Sequence, residues 1–123
     1  MEDFVTFEIA KKLKEKGFTL PKSEIIGKFD SDGLFHSQLY INFTETMDLD
    51  EIIAPTISQV LEWLRKEKKI HIDIEYRGAF KWRYILIYLN ETYFDYFNVI
   101  ERGFYSYEEA ALAGINYVLD NLI

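Results

Sequence analysis

Residues 55–89 read PTISQVLEWLRKEKKIHIDIEYRGAFKWRYILIYL, and a change of period inside this stretch decides the fold. In its first part Ile57, Val60, Leu61 and Leu64 recur at helical spacing. Trp63 stands on the shoulder of that apolar face, and Ser58, Glu62, Arg65 and Lys66 take the other side. Thr56 and Gln59 have the spacing of a capping box, and Pro55 ahead of them suits a helix entry because its missing N–H costs little there. Arg65, Lys66, Lys68 and Lys69 crowd the last turn, where positive charge complements the helix dipole; this basic run reads as a helix end rather than a phosphate site. From Ile70 the period falls to two. Ile70, Ile72, Ile74 and Tyr76 alternate with His71, Asp73, Glu75 and Arg77, as in a half-buried strand. The segment Arg77 to Lys81 supplies a turn. Trp82 to Leu89 is then a second strand, with Ile85, Ile87 and Leu89 on one face and Trp82, Tyr84, Leu86 and Tyr88 on the other. A strand with two apolar faces is either covered twice or presents an aromatic surface.

Downstream, Asn90-Glu91-Thr92 makes another turn, and Tyr93 to Glu101 reads as a third strand ending at Arg102-Gly103. Ser106 and Glu109 form a second capping box, opening a helix to Leu122 that buries Ala111, Leu112, Ile115, Val118, Leu119 and Leu122. Ala110, Ala113 and Gly114 are small and let this helix lie close against a sheet. Helix, three strands joined by short turns, and helix is the element order of the double-stranded-RNA-binding domain. The likeness is one of topology: Glu108 and Glu109 stand where that family presents lysines to phosphate, so its binding function is not implied.

Upstream, Phe4 to Lys16 is predicted helical, with Val5, Ile9, Ala10 and Leu13 along one side; Gly17 holds the position of a C-terminal cap and Phe18 can fold back on the last turn. A short strand is expected within Ile25 to Phe29. Asp32-Gly33 is a hairpin turn signal, and Leu39, Ile41 and Phe43 alternate as a further strand. Met47 to Ala54 is a polar link, with one helical turn around Asp50-Glu51-Ile52-Ile53. The expected fold is therefore α+β. Residues 55–123 form a helix, a three-stranded antiparallel meander and a helix; residues 1–54 add a helix and a small hairpin packed on that unit, within one compact domain.

Composition limits the function classes. Of 123 residues, 49% are hydrophobic and 17% aromatic, enough for a packed core. No apolar run has transmembrane length, and the acidic start Met1-Glu2-Asp3 is unlike a signal peptide, so a cytoplasmic protein away from membranes is expected. The absence of cysteine excludes disulfides, thiolate nucleophiles and Cys-based metal sites. Lys and Arg number six against eleven Asp and Glu in residues 1–55, and eight against ten in 56–123, within a net charge of −7. Neither part has the clustered cations of a duplex-binding surface.

Catalytic material is sparse. His36 and His71 are the only histidines, and each reads as a solvated surface residue; they share no spacing that would ligate zinc. Asp30-Ser31-Asp32-Gly33 resembles the start of a calcium loop, but Ile41 stands where its glutamate belongs. No phosphate loop, serine elbow or H-E-x-x-H helix is present, so no enzyme, metal or cofactor is expected. The remaining candidate site is the aromatic and basic cluster Tyr76, Arg77, Lys81, Trp82, Arg83 and Tyr84, of a kind that anchors a protein partner or stacks bases of a single strand. The competing reading packs Trp82 and the tyrosines under the N-terminal segment.

Three stretches carry a family resemblance: FEIAKKLKEKGF at 7–18, APTISQVLEWLR at 54–65, and Ser106-Tyr107-Glu108-Glu109-Ala110 through Leu122-Ile123. Together they resemble uncharacterised small proteins of Bacteroides-type phages, prophages and mobile elements, with residues 24–50 unmatched. The resemblance implies origin and carries no activity or binding residues. The functional expectation is a non-enzymatic accessory protein that binds another protein, with homodimerisation open, and single-stranded nucleic-acid binding as the alternative.

Overall fold

The computed structural model describes residues 3–37, 51–89 and 94–123. Among the described residues the fold is α+β, with three α-helices and two antiparallel three-stranded sheets. The chain divides into two compact units, Met1–Thr56 and Ile57–Ile123. No helix among the described residues is long and apolar enough to cross a membrane.

In the N-terminal unit, helix α1 (Phe7–Glu15) follows Thr6, whose hydroxyl oxygen accepts the Ile9 N–H at 3.3 Å. It starts later than the apolar pattern implies because Phe4 and Val5 are extended: Phe4 bridges to Thr56, and the Val5 N–H donates to the Pro55 carbonyl at 3.0 Å. Ile9, Ala10 and Leu13 form its buried stripe. Past its end Gly17 takes φ +84°, and the Phe18 N–H donates to the Leu13 carbonyl at 3.0 Å, folding the Phe18 ring back into the core as expected. Strands β1 (Gly27–Phe29) and β2 (Phe35–Ser37) form a hairpin whose turn is tied by Asp30. Asp30 Oδ1 accepts the N–H groups of Asp32 at 2.9 Å and Leu34 at 3.0 Å, the local bonding that makes aspartate a turn former. The strand expected at Leu39–Phe43 lies outside the described residues.

Strand β3 (Ile52–Ile53) pairs antiparallel with Lys28 and Phe29, giving the order β2-β1-β3. This corrects the helical turn expected around Asp50–Ile53. A lone turn fixes several dihedrals for one hydrogen bond, whereas two β-branched residues beside an open strand edge gain a ladder. An aromatic cluster fills the unit, with ring centroids 4.7 Å apart for Phe4–Phe35, 5.3 Å for Phe7–Phe29 and 5.7 Å for Phe29–Phe35.

In the C-terminal unit, α2 (Ile57–Glu67) buries Ile57, Val60 and Leu64. It leads through Lys69 into β4 (Ile70–Tyr76), β5 (Trp82–Leu89) and β6 (Phe94–Phe104), an antiparallel sheet in sequence order. Ile70 and Ile72 of β4 and Tyr84 and Leu86 of β5 are buried on one face of this sheet. Strand β6 runs past its expected stop at Arg102-Gly103. Gly103 (φ +95°) is absorbed in a bulge between the pairs Trp82–Phe104 and Arg83–Arg102.

Helix α3 (Tyr107–Asn121) is capped by Ser106, whose Oγ accepts the Glu109 N–H at 3.0 Å. The return bond of the capping box differs from expectation, since Glu109 Oε2 accepts the N–H of Tyr105 at 3.2 Å, one residue further back than the cap itself. The helix buries Ala110, Ala111, Gly114, Ile115, Val118 and Leu119, while Leu112 and Leu122 are only partly covered. Gly114 sets its distance from the sheet: a Cβ there would stand 3.0 Å from Ile72 Cγ2 and 3.1 Å from Tyr84 Cγ.

Candidate functional site

The register of the β4–β5 hairpin puts Tyr76, the last residue of β4, opposite Trp82, the first of β5. Their rings lie 5.4 Å apart. Trp82 meets Tyr107, the first residue of α3, edge to face at 5.8 Å and 88°. Tyr105 sits just before that helix, and the Lys81 ammonium lies 3.5 Å above its ring centroid. Tyr76 is 63% exposed, Tyr105 76% and Tyr107 38%, so the corner presents three tyrosine rings around a half-buried indole.

The six residues singled out in the sequence separate into three groups. Tyr76, Lys81 and Trp82 belong to the corner. Arg77 and Arg83 are drawn to Glu75: Arg77 Nε donates to Glu75 Oε2 at 3.0 Å, and Arg83 donates to the same oxygen from Nε at 3.0 Å and Nη2 at 2.7 Å. Tyr84 is no surface residue. It is 1% exposed, with its ring against Gly114 and stacked on Phe104 at 6.0 Å, because it lies on the same helix-covered face as Trp82 and further under α3. Trp82 finds aromatic neighbours, Tyr76 and Tyr107, within the C-terminal unit itself.

Tyr105 and Tyr107 were not candidates in the sequence, although a signal was present. The run Phe104-Tyr105-Ser106-Tyr107 places two aromatics on either side of a helix cap, and a cap fixes the positions of its neighbours.

The sheet face opposite Tyr84 is charged where β4 and β5 meet. Glu75 pairs with Arg83 and Asp73 with Ile85 across the strands. The Arg83 guanidinium holds the Glu75 carboxyl below its usual range, whereas burial and a hydrogen bond with Glu75 push Asp73 up. Two carboxyl groups on one strand thus hold protons with different strength, Asp73 being the more readily protonated. In the N-terminal unit His36 is more than a solvated histidine, because its Nε2 donates to Asp30 Oδ2 at 2.8 Å. That bond, ahead of those from the Leu34 and Asp32 amides, holds the Asp30 carboxyl down. Among the described residues no three His, Asp or Glu side chains gather closely enough to hold a metal ion.

Comparison with family models, with curated proteins and with solved structures finds no match to this chain. The reading of the corner rests on its geometry.

Proposed function

We propose that the protein is a non-enzymatic binding module whose aromatic corner docks on another protein. The observation that carries this reading is the set of Tyr76, Trp82, Tyr105 and Tyr107 at one end of the sheet, exposed at the tyrosines and anchored at the indole. Tyrosine and tryptophan dominate binding hot spots because they offer large amphipathic area with few torsions to freeze. The Lys81 ammonium over Tyr105 adds a cation at the rim, and Arg77 carries a second beside Glu75. The resemblance to proteins of Bacteroides-type phages and mobile elements makes phage-encoded and host proteins the first partners to screen, from the cytoplasmic fraction.

Affinity capture with the intact chain and with a Tyr76→Ala/Tyr105→Ala variant tests the proposal. Both residues are largely exposed, and circular dichroism should show the variant folded as the parent is. A partner protein held by the intact chain should bind the variant at least ~30-fold more weakly, the loss expected for one hot-spot residue of about 2 kcal/mol. Equal binding by the variant sinks the proposal. The single-stranded nucleic-acid reading is marked instead by retention of an oligonucleotide, with affinity falling steeply as salt rises.

A further inference from the structure

The turn between β4 and β5 has two backbone positions that suit glycine, and only one of them holds it. Gly78 has φ +57°. Lys81 has φ +59° and ψ −141°, outside the small left-handed well open to residues with a Cβ and in a region populated almost wholly by glycine. Its carbonyl accepts the Arg77 N–H at 2.7 Å, and its own N–H donates to the Gly78 carbonyl at 2.9 Å, so the turn imposes this conformation on whatever residue stands there. Glycine would meet it without strain. Strained positions of this kind gather at ligand clamps and switches, where the side chain has a use that offsets the cost.

Within the chain the Lys81 side chain has little to do. Its ammonium lies 3.5 Å above the Tyr105 ring centroid, and a cation on a ring that is 76% exposed gains little from it. Among the described residues it makes no ion pair, whereas the other two cations of the hairpin, Arg77 and Arg83, both bind Glu75. Glu108 and Glu109 do not supply the missing anion. Both belong to the first turn of α3, where the helix dipole offsets negative charge, and Glu109 is tied to the Tyr105 N–H. The rim of the aromatic corner thus carries a positive charge that the ring of Tyr105 holds in place and that no carboxylate neutralises.

We infer that Lys81 is the residue by which the corner, in the docking role proposed above, selects its partner: it takes a carboxylate from an acidic segment of the partner protein, while the exposed tyrosine rings take an apolar side chain beside that carboxylate. Charge complementarity sets the choice. A basic segment would bring like charge against an unneutralised ammonium, whereas an acidic one meets a cation already positioned at the rim and loses little freedom in pairing with it. The same use explains why lysine stands where the backbone favours glycine.

The test uses the full chain, labelled with nitrogen-15, and a blocked hexapeptide Gly-Asp-Phe-Asp-Leu-Gly as probe. The amides of Lys81, Tyr105 and Tyr107 should shift as the peptide is added to millimolar concentration at low salt, and less as salt rises. The form with asparagine at both aspartates should bind about fivefold more weakly, the upper worth of one exposed ion pair. Lys81→Gly and Lys81→Gln should each weaken the acidic peptide to the same degree, and Lys81→Arg should keep it. In denaturant Lys81→Gly should unfold at a higher midpoint than Lys81→Gln, because only glycine releases the strain. The role of Lys81 is overturned if the acidic peptide shifts no corner amide, if the asparagine form or the Gly and Gln variants bind as the parent pair does, or if Lys81→Gly is no more stable than Lys81→Gln. An oligothymidine octamer that moves the same amides more strongly than the peptide also overturns it, since the cation would then serve phosphate. If Tyr76→Ala/Tyr105→Ala binds the peptide as the intact chain does, the corner itself is not the docking site. If that variant loses the peptide while the Gly and Gln variants at Lys81 retain it, the corner docks without its lysine and Lys81 alone is excluded.

Discussion

Replacing Gly114 by alanine separates two opposing effects whose sizes are known. Alanine in a helix interior is favoured over glycine by about 1 kcal/mol through backbone entropy. Against this, the added methyl would approach Ile72 Cγ2 at 3.0 Å, Tyr84 Cγ at 3.1 Å and Tyr84 Cδ2 at 3.3 Å. None of these atoms is the free end of a flexible side chain. Ile72 Cγ2 and Tyr84 Cγ are each one bond from their Cβ, and both residues are buried in strands paired with each other's neighbours. Relief therefore requires α3 to move away from β4 and β5 by a few tenths of an ångström, loosening the contacts of Ile115 and Val118 as well. Overpacking of this kind costs about 1–3 kcal/mol, so the net expectation is a loss of about 1 kcal/mol. Denaturant unfolding followed by tryptophan fluorescence is the assay, because Trp63 and Trp82 both lie in the C-terminal unit. Ala113→Gly, one position away and only partly buried, is the control and should lose about 1 kcal/mol from propensity. A Gly114→Ala variant more stable than the parent would refute the close contact and with it the account of how α3 sits on the sheet.

Ser106→Ala removes the acceptor of the Glu109 N–H and should cost about 1 kcal/mol in the same fluorescence assay, with an unchanged midpoint counting against the cap. Glu75, held down mainly by Arg83, contributes stability that is present above the ordinary glutamate range and is lost as pH falls through its lower folded value; Glu75→Gln should flatten that part of the acid-unfolding curve. Asp73 has the opposite sign, because a carboxyl raised by burial favours folding only while protonated, so stability is lost as pH rises from its ordinary value through the raised one. Asp73→Asn should therefore be neutral or stabilising at pH 7, and a clear loss there would contradict the assigned cause.

The C-terminal unit was legible in the sequence because each of its elements carries a local signal. The 3.6-to-2 change of period at Ile70 and the Ser106 cap both appear where the pattern put them. The N-terminal unit was less legible for a physical reason. Its strands are two or three residues long, too short for a period of two to register, and β3 exists only because β1 offers it an edge. The candidate cluster divides for a related reason. Alternation along β5 assigns Tyr84 and Trp82 to one face, but which face α3 covers depends on the small residues of a later helix. Side-chain pairing across strands, which sends Arg83 to Glu75, depends on register and has no local signature.

The place of the aromatic corner follows from where the covering helix begins. Trp82 and Phe104 form the last paired row of β5 and β6, and α3 starts three residues after Phe104. Its first turn meets the Trp82 ring through Tyr107, while Tyr76 flanks that indole from β4. Hydrophobic burial alone would not leave Tyr76 and Tyr105 largely in water. Tyr105 is held there by its backbone: its N–H is tied to the Glu109 carboxylate, and the bulge at Gly103 sets the approach of the chain. Lys81 reaches the Tyr105 ring from a left-handed position at the hairpin turn, with φ +59°, a conformation unfavourable for lysine and retained by the Arg77–Lys81 and Lys81–Gly78 turn bonds. The exposed rings are thus carried on backbone fixed by a turn, a bulge and a helix cap, each formed without reference to a partner. Rings held in this way lose little freedom on binding, which is the condition under which a small aromatic surface becomes an effective one.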